Sequence, residues 1–97
     1  MDAPRDTAGA LEGVAGALSL AGHHARAARL LGTAAALRRS SGLAAGPAER
    51  EDVDRATARI RAALRETEFT AAYDEGGSAA PADCLEAVRR LTGTVRT

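Results

Sequence analysis

Phe69 and Tyr73 are the only aromatic side chains in these 97 residues, and Trp is absent. Ala, Leu and Val must therefore fill the core. Each of them buries little surface, but small side chains let helices approach closely, and Ala and Leu favour helix intrinsically. Strands are poorly served: Ile occurs once, and the few Val and Thr residues never alternate with polar ones. The expected class is all-α. A chain of this length removes about 60–65% of its unfolded surface from water, so residues 1–97 read as one helical domain of modest stability.

Formal charge is balanced, with 13 basic and 13 acidic residues, and every basic residue is Arg. A neutral chain gains little long-range attraction to nucleic acid or anionic membrane. The charge is unevenly placed, because Arg26, Arg29, Arg38 and Arg39 stand in a stretch from 23 to 40 that holds no acid. Cys84 is the single cysteine, which excludes an internal disulfide. No apolar run approaches the roughly 20 residues of a membrane span, and the polar, mixed-charge start lacks a signal peptide's apolar stretch. The expectation is a cytoplasmic protein that does not engage membranes.

Hydrophobic spacing divides the chain into about five helices. Residues 1–6, with Pro4, read as a disordered lead-in. Thr7 caps a first helix running to Ala21 with Leu11, Val14 and Leu18 on one face, and Gly22 stops it. A second, from His23 to Ser40, carries Ala27, Leu30, Leu31, Ala34 and Leu37 as an apolar stripe. The short connection predicts an antiparallel hairpin. Pro47 with Glu49, Glu51 and Asp52 opens a third helix that reaches Arg65, its Val53, Ile60 and Leu64 inward. Thr67 starts a short fourth with Phe69, Ala72 and Tyr73, which Gly76-Gly77 ends. Pro81 and Asp83 open a fifth bearing Cys84, Leu85, Val88 and Leu91, and residues 94–97 read as a disordered end.

Chemistry is hard to find. Phosphate cradling needs a Gly-rich loop leading into a helix, usually with Lys, and the chain has neither. Zinc needs clustered Cys and His, whereas His23 and His24 are adjacent, point to different helix faces and lie far from Cys84. A lone Cys on an apolar face is more often a small core residue than a nucleophile. The pairs Asp74/Glu75 and Asp83/Glu86 read as helix-end charge rather than acid–base partners. The expectation is a protein that is not an enzyme, with no metal and no cofactor.

The first two helices place Leu11, Val14, Ala15, Leu18, Gly22, Ala27, Leu31 and Ala34 at the small and large apolar positions of a tetratricopeptide unit. Arg39 replaces the terminal Pro of that repeat, and Leu replaces its usual aromatics. The run Leu11–Leu37, with "AARLLGTAAALR", followed by "GPAEREDVDRATARIRAALRETEFTAAYDEG" and "CLEAVRRL", resembles the C-terminal region of actinobacterial ATP-binding LuxR-type and AfsR (SARP)-type transcriptional regulators. That resemblance implies stacked antiparallel hairpins forming a small bundle or solenoid end, and a role in regulation through protein contacts. The ATPase and helix-turn-helix domains of those regulators are absent, so neither activity transfers.

The leading expectation is a non-enzymatic protein–protein interaction module. Gly13 and Gly16 cost helix stability, and a bare face makes sense where another helix packs against it. Leu11, Gly13, Gly16 and Ala17, with Arg26 and Arg29 on the next helix, form the candidate face for a protein partner or a second copy. Two alternatives stand beside it: a nucleic-acid accessory protein gripping phosphates through Arg26 and Arg29, and a small-molecule sensor with an apolar pocket around Phe69, Tyr73 and Leu85.

Overall fold

The computed structural model describes residues 3–42, 44 and 46–79, and it is helical throughout: α1 (Ala3–Leu20), α2 (His24–Ser41), α3 (Pro47–Ala63) and α4 (Glu66–Ser78). The fifth expected helix and the expected disordered end lie outside the described residues.

The first helix begins earlier than its Thr7 cap suggested. Pro4 falls within the first turn, where a helix tolerates proline, and Asp6 sets an acid near the positive dipole end. Ala8, Leu11 and Ala15 then form a fully buried seam, with Val14 and Leu18 packed beside it. The end is a Schellman turn on Gly22 (φ 92°), in which His23 N–H donates to Leu18 O at 2.8 Å and Gly22 N–H to Ser19 O at 3.3 Å. Three residues therefore suffice to turn the chain back, and α2 lies along α1 as a hairpin.

The central element is α2. Its predicted stripe is buried at Ala27, Leu30, Leu31 and Ala34, with Leu37 half-buried, but Ala28, Gly32 and Thr33 are buried as well. One helix occupies the first face, and α4 takes the other. A fine-toothed surface of Gly and Thr lets two backbones meet. A Cβ added to Gly32 would overlap the Tyr73 carbonyl oxygen and sit 2.9 Å from its carbon; one added to Gly76 would overlap the Arg29 carbonyl and sit 2.8 Å from Arg29 Cα. At this crossing the Thr33 hydroxyl donates to Gly76 O at 2.6 Å.

That contact corrects the expected end of the fourth helix. Gly76 and Gly77 lie inside α4, which runs on to Ser78. Glycine's low helix propensity is overridden at Gly76, because nothing larger fits there against α2. Phe69, Ala72 and Gly76, one seam at i, i+3 and i+7, are its buried residues.

The third helix packs on both helices of the hairpin. Pro47 occupies its first turn, Gly46 N–H donates to Glu49 Oε1 at 2.8 Å, and Ala56 and Ile60 are buried. It ends at Ala63, and Leu64 and Arg65 are extended, so Arg65 belongs to the start of α4, where its N–H donates to Glu68 Oε1 at 2.9 Å. The helices α3 and α4 barely touch each other, α4 packing chiefly on α2. The side-by-side hairpin of α1 and α2 is thus not repeated by the next pair.

Candidate interaction face

The stripe Gly9, Gly13, Gly16 and Leu20 follows i, i+4, i+7 and i+11, which confines it to about 60° of the α1 circumference. By the same geometry its centre lies about 140° round the helix from that of the core seam of Ala8, Leu11 and Ala15. A Cβ added at any of the three glycines would meet nothing within 4 Å. Leu20 is 73% exposed and is the one exposed large hydrophobic among the described residues. With Ala17, and with Glu49, Asp52 and Val53 from α3, this stripe lines a groove of about 420 Å³ that Glu12 also borders.

Under the groove lies a buried ion pair. Arg38 Nε and Nη2 donate to the two Glu12 carboxylate oxygens at 2.7 and 2.9 Å, and Glu49 Oε2 lies 3.7 Å from Nη2. Side-chain exposure is 8% for Arg38 and 12% for Glu12. The hydrogen bonds to Glu12 raise the guanidinium above its ordinary pKa against the opposing pull of burial, and the Glu12 and Glu49 charges add to the rise. One residue thereby ties α1, α2 and α3 together. Arg38 Nη1 is buried with no hydrogen-bond partner.

The expected site residues are distributed over several surfaces. Gly13, Gly16 and Ala17 line the groove. Leu11 does not: it is fully buried in the core, two residues or about 200° round the helix from Gly13, and has no part in an exposed face. Arg26 and Arg29 lie elsewhere on α2. Arg29 forms an ion pair with Glu75 of α4, and exposed Arg26 borders a depression with Gly22, His23, His24, Ala25 and Leu64. Phe69 stacks on Tyr73 with ring centroids 5.5 Å apart, and the Arg61 guanidinium covers Phe69 at 4.9 Å. Phe69 thus fills space between helices. The depression that Tyr73 borders is lined otherwise by Gly32, Arg39, Asp74, Gly77 and Ser78; Leu85 lies outside the described residues.

Sequence reading missed the Glu12–Arg38 pair and the Gly32/Gly76 crossing. A signal existed for the first: Arg38 continues the stripe Ala27, Leu31, Ala34 at i+11, a core position for a charged residue. Among the described residues no three His, Cys, Asp or Glu side chains gather as a metal site, and no helix is long and apolar enough to cross a membrane. Cys84 lies outside the described residues. No family model matches the chain, and no curated protein or solved structure matches it either.

Proposed function

We propose that this chain is a non-catalytic protein-interaction module that receives a helix in the α1–α3 groove. One observation carries the reading: the α1 glycines have no neighbour, whereas the other described glycines have a local reason. Gly22 and Gly42 adopt positive φ at helix ends, Gly46 precedes α3, Gly32 and Gly76 leave no room for a methyl at the α2–α4 crossing, and Gly77 is in ordinary contact range of Gly32 there. Each interior glycine costs a helix about 1 kcal/mol relative to Ala. Gly9, Gly13 and Gly16 bear that cost on one stripe, beside the exposed Leu20. A helix backbone arriving from outside would give these positions the role that α4 gives Gly32.

The resemblance to the ends of regulator arrays supports the same reading, since repeat units bury a continuous core by stacking on a neighbour. A regulatory context is the setting we propose. The arginine-based alternative has less support, because Arg29 is paired with Glu75.

Site-specific photo-crosslinking tests the proposal. A photoreactive side chain at Ala17, used in the cells that make the protein, should join a defined partner, and Gly13→Leu with Gly16→Leu should abolish that product. Equal crosslinking with and without the two leucines, or none from Ala17, would show that the face is not a binding site.

A further inference from the structure

The bend between α3 and α4 has no cause in the local sequence. Leu64 and Arg65 are extended there, with φ/ψ of −108°/152° and −66°/153°, yet Leu and Arg are among the strongest helix formers. The run from Ile60 to Phe69 contains no Gly and no Pro. Arg65 stands at the N-cap, a place for Ser, Thr, Asp or Asn, and supplies no side-chain cap. The apolar seam of α3 also runs through the break. Leu64 follows Ala56 and Ile60 at i+8 and i+4 and packs half-buried against the core. A continuous helix over 47–78 would give the N–H groups of Arg65, Glu66, Thr67 and Glu68 the carbonyls of Arg61, Ala62, Ala63 and Leu64.

What bends the chain is α2. On a straight helix the seam of Phe69, Ala72 and Gly76 would lie about 150° round from that of Ala56, Ile60 and Leu64, facing away from the hairpin on which α3 packs. The fourth helix packs chiefly on α2, and its fit there is specific. Gly32 admits the Tyr73 backbone, Gly76 admits the Arg29 backbone, and the Thr33 hydroxyl donates to Gly76 O at 2.6 Å. The bend itself is bridged by an ion pair from Arg61 to Glu66, both exposed, and by the Arg61 guanidinium over Phe69. Exposed pairs of this kind hold weakly.

We propose that a second copy of this chain is a partner for α2. The bend opens, α3 and α4 join as one helix, and two copies exchange α4, each seating Phe69, Ala72 and Gly76 on the other's Arg29, Gly32 and Thr33. The exchange keeps the α2–α4 contacts and alters the backbone chiefly at Leu64 and Arg65. Two-fold symmetry closes the assembly, since each copy gives and receives the same helix. The α1–α3 groove takes no part, so this self-association is independent of the helix proposed to bind there.

Refolding the full chain at rising concentration should give a dimer by light scattering that persists on dilution, because its release requires both α4 helices to leave α2. Arg65→Pro separates the two backbone forms. Proline fixes φ near the −66° that Arg65 already has and favours an extended residue before it, so the bent chain accepts it. Inside a continuous helix it clashes with the Arg61 carbonyl, and the association constant should fall about a hundredfold for each of the two hinges. Arg29→Glu and Glu75→Arg give a second test, since Arg29 pairs with Glu75 across the crossing. Each variant alone sets like charges together, and opposite charges meet only in an exchanged dimer of the two, which should outnumber either homodimer about threefold. A chain that stays monomeric at every concentration would overturn the exchange. So would a dimer formed equally by Arg65→Pro, one with no preference for the mixed pair, or one dissociated by Gly13→Leu with Gly16→Leu.

Discussion

Gly76→Ala tests the crossing on which α4 depends. The new methyl would overlap the Arg29 carbonyl oxygen and lie 2.6 Å from its carbon, against the roughly 3.5–4 Å of an ordinary contact. Backbone atoms cannot rotate away, so α4 must withdraw by about 1 Å. That movement stretches the 2.6 Å bond from Thr33 to Gly76 O, a loss of about 1 kcal/mol, and loosens Phe69 and Ala72 against α2. Forcing a methyl into a packed contact costs about 1–3 kcal/mol, and alanine's helix propensity returns about 1 kcal/mol. The expected outcome is a net destabilisation of about 2 kcal/mol, measured by urea unfolding followed by circular dichroism, or a melting temperature lower by about 10 °C. Gly77→Ala is the control. Its Cβ would meet only Gly32 O at 3.7 Å, so the same substitution one residue on should be neutral or stabilising by up to about 1 kcal/mol. Equal effects from the two alanines would refute backbone contact between α2 and α4.

The buried ion pair gives a second contrast. Arg38→Leu alone strands Glu12 and should destabilise by about 3 kcal/mol, whereas Arg38→Leu with Glu12→Leu should recover most of that loss; equal instability of single and double variants in urea would show that the pair is not buried as described. Since Arg38 is raised from an already high pKa, its contribution is complete below the unfolded arginine value and is lost only as pH rises beyond the folded one, so titrating Arg38 should leave stability unchanged from pH 6 to 9. Gly13→Ala with Gly16→Ala, which meets open space at both positions, should stabilise the isolated chain by about 1–2 kcal/mol, and a lower melting temperature would mean that those glycines serve the chain's own packing.

Much of the helical order was legible because apolar spacing and end signals agreed. Leu11, Ala27, Leu31 and Ala34 formed seams that the fold buries, and Gly22 and Pro47 marked a turn and a start that the fold keeps. The errors came where a distant contact outweighed a local preference. Gly76-Gly77 has the local character of a helix stop, and only the approach of Arg29, 47 residues away in sequence, makes glycine necessary at position 76 within the helix. Arg38 was read as part of the basic stretch from 23 to 40; it stands in the last turn of α2, where its charge suits the dipole, and its position on the apolar stripe was the overlooked sign of burial. Leu11 and Gly13 were grouped by proximity in sequence, although two residues turn a helix by about 200°, so one enters the core while the other faces away from it.

That same rotation gives the open stripe its meaning. The helix α1 already has Ala at positions 8, 10, 15 and 17, so alanine is plentiful and sterically free to stand at 9, 13 and 16 as well. Substitution there should add up to about 3 kcal/mol to a domain whose total stability is of the order of 5–15 kcal/mol. Stability alone favours that replacement, as it does at any exposed helical glycine. Instead the three glycines share one arc of α1, the arc that carries Leu20 and faces the acidic side chains of α3. A loss of stability concentrated on one surface fits a surface used for close contact, and Gly13→Ala with Gly16→Ala should raise the melting temperature while weakening partner binding.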